Sequence, residues 1–282
     1  MRIANSWTDY KVISTGDGEK LEKWGRITLL RPDPQVIWHA KKNLLSFPNI
    51  DAHYLRESSG GGRWKYLNSI PEEWIIYWKN LKFIIKPMGF KHTGLFPEQV
   101  VNWEIMEDLI KNANREIKVL NLFAYTGGAS VACANAGAKV THVDASKGMV
   151  ERARQNAKLN NITTIRYIVD DCKKFIEREI RRGSFYDAII MDPPSYGRGP
   201  SGEMWKLEDN LADFVELASK VLSDKPLFVL INSYTTGLQP TVISNILKSY
   251  FGLDNVEADE IGLPTNDGLV LPCGASGFKF WN

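Results

Sequence analysis

Residues 119–130 read Val-Leu-Asn-Leu-Phe-Ala-Tyr-Thr-Gly-Gly-Ala-Ser. An apolar run enters a pair of glycines and leaves through small residues, the pattern of a buried strand that turns sharply into a helix. Glycines there let a ligand approach the backbone closely, and the helix N-terminus presents unpaired N–H groups to an anionic ligand. Working outward, the apolar runs Ile117–Phe123, Lys139–Val143, Thr164–Val169, Tyr186–Met191 and Leu227–Ile231 alternate with helical patterns over Met149–Leu159, Lys173–Arg181, Leu207–Leu222 and Thr241–Tyr250. Such alternation predicts an α/β fold: a mostly parallel, doubly wound sheet covered by helices on both faces, with ligands at the carboxyl ends of the strands. From Val256 onward the chain is strand-like with Gly and Pro breaks, and an antiparallel hairpin closing one sheet edge is expected.

Three further signals lie at strand ends. The second strand ends at Asp144, sixteen residues beyond Gly128, where a carboxylate can accept hydrogen bonds from both hydroxyls of a ribose. Nicotinamide-cofactor proteins and methyltransferases share this pair of features, and a tight turn followed by an exposed acid would read the same way. After the third strand, Asp170-Asp171-Cys172 can meet an adenine edge, cap the following helix, or do both. The segment Asp187-Ala188-Ile189-Ile190-Met191-Asp192-Pro193-Pro194-Ser195-Tyr196 is the most specific. A buried strand ending in an acid and two prolines rigidly projects a carboxylate and neighbouring carbonyls, which suits gripping an amino group or a flipped base.

The chain has 282 residues, 44% hydrophobic and 24% charged, which excludes a mainly disordered polymer and allows one large domain or two. Its net charge of +2 divides unevenly: residues 1–100 hold 15 Lys/Arg against 10 Asp/Glu, and residues 101–282 hold 20 against 23. Seven of the nine tryptophans lie in the first 103 residues. Basic charge among aromatics is one signature of a nucleic-acid surface, and a small domain building its core from large rings is the other reading. The first 90 residues predict short strands, including Trp24–Leu30 and Lys82–Lys86, with Pro71–Leu81 open between strand and helix. A helix over Glu98–Asn112 bridges into the second half. The expected organisation is a small β-rich α+β domain over residues 1–95 and a second domain over 96–282. Cys133, Cys172 and Cys273 show no paired spacing, so neither a disulfide framework nor a zinc site is implied, and a reducing cytoplasm is the expected compartment. His39, His53, His92 and His142 show no metal-ligand spacing, and no run approaches the roughly 18 apolar residues needed to cross a bilayer.

Val119 to Ser130, Val140 to Asn161 with Asp144, and Asp192-Pro193-Pro194-Ser195-Tyr196 together resemble class I S-adenosylmethionine-dependent methyltransferases. More narrowly they resemble the bacterial large-subunit ribosomal RNA methyltransferases that act on 23S cytosine C5 and guanine N7. Lys91 to Gln99 is similar to that family's segment ahead of the cofactor strand. The resemblance spans residues 85–235 and implies a Rossmann-like fold, S-adenosyl-L-methionine as cofactor and RNA, in particular ribosomal RNA, as partner, with no membrane involved.

By matching motif, the resemblance assigns Asn121, Phe123, Ala124, Tyr125, Thr126 and Gly127 to the methionine side of the cofactor, and Asp144 with Ala145 to the ribose. It assigns Asp171 and Cys172 to adenine, and Asp192 and Pro193 to the neighbourhood of the transferred methyl; Gln99 resembles a glutamine that reaches the cofactor in related RNA uracil methyltransferases. Tyr196 is expected to help orient the acceptor, and Arg198, Arg63 and Lys206 are candidate phosphate contacts. Two departures stand out. Tyr125 occupies the first glycine position of the wider superfamily's Gly-x-Gly, so backbone approach is expected to be relaxed there. Where C5 methylases carry a nucleophilic cysteine, this chain has Ser233, a poor substitute for a thiolate. Cys273 could reach the site from the tail or be a buried structural thiol, and Cys133 reads as core. Methylation of a small molecule or protein, and a noncatalytic RNA-binding role, are the alternatives to RNA methylation.

Overall fold

The computed structural model describes residues 1–57, 61–89, 91–198, 204–235 and 237–281, apart from the side chain of Arg198. From residue 100 the elements run α1 (Val100–Asn112), β1 (Lys118–Leu122), α2 (Gly128–Asn135), β2 (Lys139–Asp144), α3 (Lys147–Leu159), β3 (Ile165–Val169) and α4 (Cys172–Arg182). They continue as β4 (Ala188–Met191), α5 (Leu207–Ser219), β5 (Phe228–Ser233), α6 (Pro240–Phe251), β6 (Val256–Pro264) and β7 (Val270–Phe280). The strands form one sheet in the order Arg2–Ile3, β6, β7, β5, β4, β1, β2, β3. β1 to β5 pair in parallel, and β7 inserts antiparallel beside β5, from Phe228↔Phe280 to Ser233↔Ala275. The strand order reverses between β1 and β4, so their carboxyl ends flank the crevice where such sheets bind ligands.

β4 and β5 are buried along their whole length, which is why they read as unbroken apolar runs. Leu120, Leu122, Ile189, Met191, Val229 and Ile231 pack with Phe175, Ile176, Phe214, Val215, Ile243 and Leu247 of α4, α5 and α6. Alternate strand residues point to the opposite face. There Asn121 meets Ser130 of α2, and Cys133 of α2 meets Met106 of α1.

The chain divides into two compact units: Met1–Arg2, Val101–Ile261 and Gly274–Asn282 in one, Ile3–Val100 and Gly262–Cys273 in the other. The second unit holds a five-stranded sheet, ordered Tyr10–Gly16, Glu19–Trp24, Ile27–Pro32, Ala52–Arg56, Gly62–Tyr66, and a ribbon of Trp74–Trp78 with Leu81–Ile85. Trp24–Leu30, expected as one strand, is instead a hairpin: Gly25 takes φ +63° and Trp24 pairs with Ile27. Residues 262–273, expected in the second domain, pack with this unit; Val12 bridges Thr265, and Ser14 Oγ donates to Asp267 Oδ2 at 2.7 Å.

Drawn along these units, the charge contrast narrows. The second unit holds 14 Lys/Arg against 11 Asp/Glu, and the first unit 21 against 22. The second unit's tryptophans serve its core: Trp24 and Trp78 are fully buried, the Trp24 ring lies 4.6 Å from that of Tyr10, and Trp64 Nε1 donates to the Met88 carbonyl. At its centre, Arg31 grips fully buried Glu22 through Nε (2.7 Å) and Nη2 (3.0 Å), and Tyr10 Oη donates to the same carboxylate at 2.6 Å. Burial alone would raise the Glu22 pKa, but Arg31, Lys20 and the Tyr10 hydroxyl outweigh it and hold it at about 2. Among the described residues, no helix is long and apolar enough to cross a membrane.

Candidate functional site

β1 does not pass smoothly into α2. Phe123, Tyr125 and Gly127 take φ values of +56°, +50° and +83°, so every second residue of the turn is left-handed. For residues with a Cβ that conformation costs about 1–2 kcal/mol each, and it persists only when the surroundings fix it. Here they do. Phe123 N–H donates to Cys172 Sγ at 3.3 Å, Ala124 N–H to the Val143 carbonyl at 3.0 Å and Tyr125 N–H to Asp144 Oδ2 at 2.8 Å. Asn156 Nδ2 on α3 donates to the Thr126 carbonyl at 2.9 Å. A Cβ on Gly127 would come within 2.8 Å of Ala153 Cβ, so this glycine is also what lets α3 close against the turn. Tyr125, at a position the superfamily gives to glycine, takes a left-handed backbone angle of the kind that glycine adopts without cost.

Asp144, at the carboxyl end of β2, accepts Tyr125 N–H on one oxygen and Ser146 N–H (2.8 Å) on the other. Each carboxylate oxygen has two lone pairs, so one at each oxygen remains for a further donor. Burial raises its pKa above the ordinary 3.8, and the two backbone N–H groups oppose that rise. Ala145 beside it is exposed. At the end of β3, Asp171 is the N-cap of α4, its Oδ1 accepting Lys174 N–H at 2.9 Å, and Asp170 pairs with Arg178.

β4 ends at Met191, and Asp192, partly buried, follows directly. The Pro194 carbonyl accepts Trp205 Nε1–H at 2.6 Å, the Ser195 carbonyl accepts Leu207 N–H at 3.0 Å, and Ser195 Oγ accepts from Thr235 Oγ1 at 2.7 Å. Tyr196 starts a ribbon, Tyr196–Arg198 paired with Met204–Lys206, and its hydroxyl, on a side chain half exposed to solvent, donates to Met204 Sδ at 3.2 Å.

The motif residues therefore divide. Phe123, Tyr125, Asp144, Ala145, Asp171, Asp192 and Tyr196 keep exposed surface at the carboxyl ends of β1 to β4, whereas Asn121, Ala124, Thr126, Gly127, Cys172 and Pro193 are closed off. Asn121 donates to Ser130 Oγ, which meets His142 Nδ1 at 2.9 Å; burial, with Arg154 nearby, lowers the His142 pKa to about 4 and keeps the ring neutral. Cys172 serves the turn with its sulfur, and burial pushes its thiol pKa far up. Gln99 is buried in the 3₁₀ turn Pro97–Gln99, within the other unit. Ser233 is buried at the end of β5, accepting Thr235 N–H at 3.2 Å. Lys206 is exposed near Asp209, and Arg63 is exposed on the edge strand Gly62–Tyr66.

Sequence reasoning missed Asn156, Thr235 and Trp205. Asn156 interrupts the apolar stripe Val150, Ala153, Ala157 of α3, a pattern that marks a polar residue turned inward. Trp205 stands between Met204 and Lys206, outside any periodic apolar pattern, and nothing local marks its contacts.

A family model described as S-adenosylmethionine-dependent methyltransferase matches residues 49–232. The crystal structure of the SAM-dependent methyltransferase from Agrobacterium tumefaciens is similar to this chain at a TM-score of 0.92 and 34% identity, over 99% of this chain and 92% of that one. SMU.776, solved in complex with SAH, shares the fold at a TM-score of 0.77 and 19% identity, over 97% of this chain and 75% of that one. The ribosomal RNA large subunit methyltransferase K/L of Pseudoalteromonas translucida is 34% identical over 158 residues, which is 54% of this chain; the match spans only 21% of that protein's length. With the strained glycine turn, the strand-end acid and the Asp-Pro-Pro-Ser segment in the order this fold requires, the chain belongs to the S-adenosylmethionine-dependent methyltransferase family.

Proposed function

We propose that the chain methylates a base of RNA, with ribosomal RNA as the target class and a ring or exocyclic nitrogen as the acceptor. The observation that carries this reading is Asp192-Pro193-Pro194-Ser195 at the carboxyl end of β4, fastened by Trp205, Leu207 and Thr235. S-adenosylmethionine, when bound, supplies an electrophilic methyl group on sulfur. Asp144 fits it by donor chemistry: both of its oxygens retain a lone pair for a ribose hydroxyl. Ala145 would border the ribose, Asp171 and the backbone at Cys172 the adenine, and Phe123 to Gly127 the methionine portion. Asp192 would accept a hydrogen bond from the acceptor's amino group and take up a proton released on transfer, while the Pro193 carbonyl and Tyr196 fix the base's orientation.

Transfer to nitrogen is favoured over carbon because a carbon acceptor needs a thiolate to add to the ring first. Cys133 and Cys172 are buried, with pKa values pushed far up by burial. RNA is favoured over a small acceptor by the names of relatives such as the Pseudoalteromonas protein. The Ile3–Val100 unit, with Arg63 and Lys65 exposed on an edge strand, would contribute to holding RNA, in the cytoplasm where ribosomes are available. Mass spectrometry of ribosomal RNA nucleosides from a deletion strain tests the proposal: one methylated base should disappear and return on complementation. An unchanged nucleoside profile, with labelled methyl groups entering a protein or small molecule, would overturn it.

A further inference from the structure

Pro193 and Pro194 carry no N–H, so the Asp-Pro-Pro segment cannot anchor itself through its own main-chain donors at those residues. Its carbonyls are the handles, and Trp205 takes the one on Pro194 at 2.6 Å. The same indole lies 5.7 Å from the Phe123 ring and 5.7 Å edge-on from Phe214, while Phe123 and Phe214 are 5.2 Å apart. Phe123 is the first left-handed residue of the cofactor turn. One side chain thus touches both the turn that follows β1 and the segment that follows β4, and Leu207, two residues on, fixes Ser195 from the start of α5.

We propose that Trp205 is a positioning residue for methyl transfer, coupling the cofactor turn through Phe123 to the acceptor-orienting segment through Pro194. The inference rests on the acceptor role given above to Asp192 and Pro193. Transfer requires sulfur, methyl and acceptor in line, and small misplacements of either partner are costly. Trp205 holds the two supports as one body. Its indole N–H is committed to the Pro194 carbonyl and its ring to Phe123, so loss of the N–H alone should slow turnover without weakening ground-state binding, whereas loss of the ring as well should also loosen the turn that holds the cofactor.

Trp205→Phe keeps a ring against Phe123 and removes the N–H; Trp205→Leu removes the ring as well. With S-adenosyl-L-homocysteine as probe, calorimetry should give an affinity for Trp205→Phe within about twofold of wild type and a clear loss for Trp205→Leu. Transfer from labelled S-adenosylmethionine to total RNA of a deletion strain should show kcat down about tenfold to a hundredfold in Trp205→Phe at an unchanged KM for the cofactor. In wild-type protein labelled with 5-fluorotryptophan, the Trp205 resonance, assigned by its absence in the Phe variant, should shift when S-adenosyl-L-homocysteine is added. A wild-type kcat in Trp205→Phe, or a resonance the probe leaves unmoved, overturns the proposal. If wild-type protein labels no RNA, the RNA reading fails, and the fluorine resonance decides on Trp205 alone.

Discussion

Asp144 Oδ2 accepts the backbone N–H of Tyr125 at 2.8 Å, across the gap between the end of β2 and the turn after β1. The acid read from the sequence as a ribose ligand is thus also the brace for a residue held at φ +50°. Replacing it should therefore damage two things together. Asp144→Ala should weaken S-adenosyl-L-homocysteine binding by about a hundredfold or more, two charge-assisted hydrogen bonds being lost, and lower the unfolding midpoint as Tyr125 N–H loses its acceptor. Asp144→Asn, which keeps one acceptor oxygen, should fall between. Calorimetry and thermal melts of both variants check this; a Tyr125 turn that melts no earlier in Asp144→Ala would show the brace to be idle.

The same carboxylate sets a pH dependence. Burial raises its pKa above 3.8, so the folded protein takes up this proton at a higher pH than the unfolded chain does. Protonation removes acceptor capacity that the ribose and both backbone N–H groups need. Affinity for S-adenosyl-L-homocysteine should accordingly start to fall, on acidification, at a pH above that at which an ordinary aspartate titrates. Calorimetry over a pH series should show that fall, and Asp144→Asn should abolish it.

Gly127 offers a purely steric test. Its φ of +83° disfavours any L side chain, and a Cβ would stand 2.8 Å from Ala153 Cβ, so Gly127→Ala should cost about 1–3 kcal/mol and displace the start of α2. The paired change Gly127→Ala with Ala153→Gly should recover the part due to the clash but not the part due to the backbone angle, as denaturant titrations of the single and double variants would reveal.

Most of this architecture can be read from the sequence, and the exceptions have two distinct causes. β4 and β5 announce themselves because a strand buried on both faces must be apolar throughout. Asp144 and Asp192 are legible because one ends and the other directly follows a largely buried strand. Trp24–Leu30 misleads because Gly25-Arg26, a two-residue turn, sits inside an otherwise apolar stretch and the strand simply reverses. Cys172 and Trp205 are illegible for another reason: their roles lie in single contacts, to Phe123 N–H and to the Pro194 carbonyl, that exist only once distant segments have folded together. The basic, tryptophan-rich character of the first hundred residues has a largely internal explanation, since Trp24 and Trp78 are fully buried and Arg31 is spent on Glu22.

That Glu22–Arg31 pair should dominate the acid stability of its unit. The folded pKa of about 2 lies below the ordinary 4.5, so the stabilisation is complete above 4.5 and is lost as pH falls from there towards 2. Glu22→Gln leaves the Arg31 guanidinium buried beside a neutral amide and should cost about 3–5 kcal/mol, whereas replacing both by apolar residues should cost much less. Denaturant unfolding at pH 7 and pH 3 distinguishes the cases: the wild type should lose stability between those values, and the doubly apolar variant should lose less.

The state of the three thiols bears on which atom accepts the methyl group. A C5 methylase adds a thiolate to the pyrimidine, and a fluorine at C5 traps that adduct because it cannot leave as a proton does. In this chain the corresponding position is Ser233, the last residue of β5, buried and engaged by Thr235 N–H. Cys133 is fully buried, Cys172 is committed to Phe123 N–H, and burial raises the thiol pKa of each. Cys273 donates to the Leu271 carbonyl at 3.3 Å, and burial, with Glu98 adding to it, pushes its pKa well above the ordinary 9.0. At neutral pH none of the three is a thiolate to a useful extent, and reactivity follows the thiolate. RNA containing 5-fluorocytidine should therefore form no denaturation-resistant complex with the protein, and thiol-directed alkylation should modify native protein far more slowly than unfolded protein. A covalent band that vanishes in Cys273→Ser would reverse the assignment, making that thiol the nucleophile and carbon the acceptor.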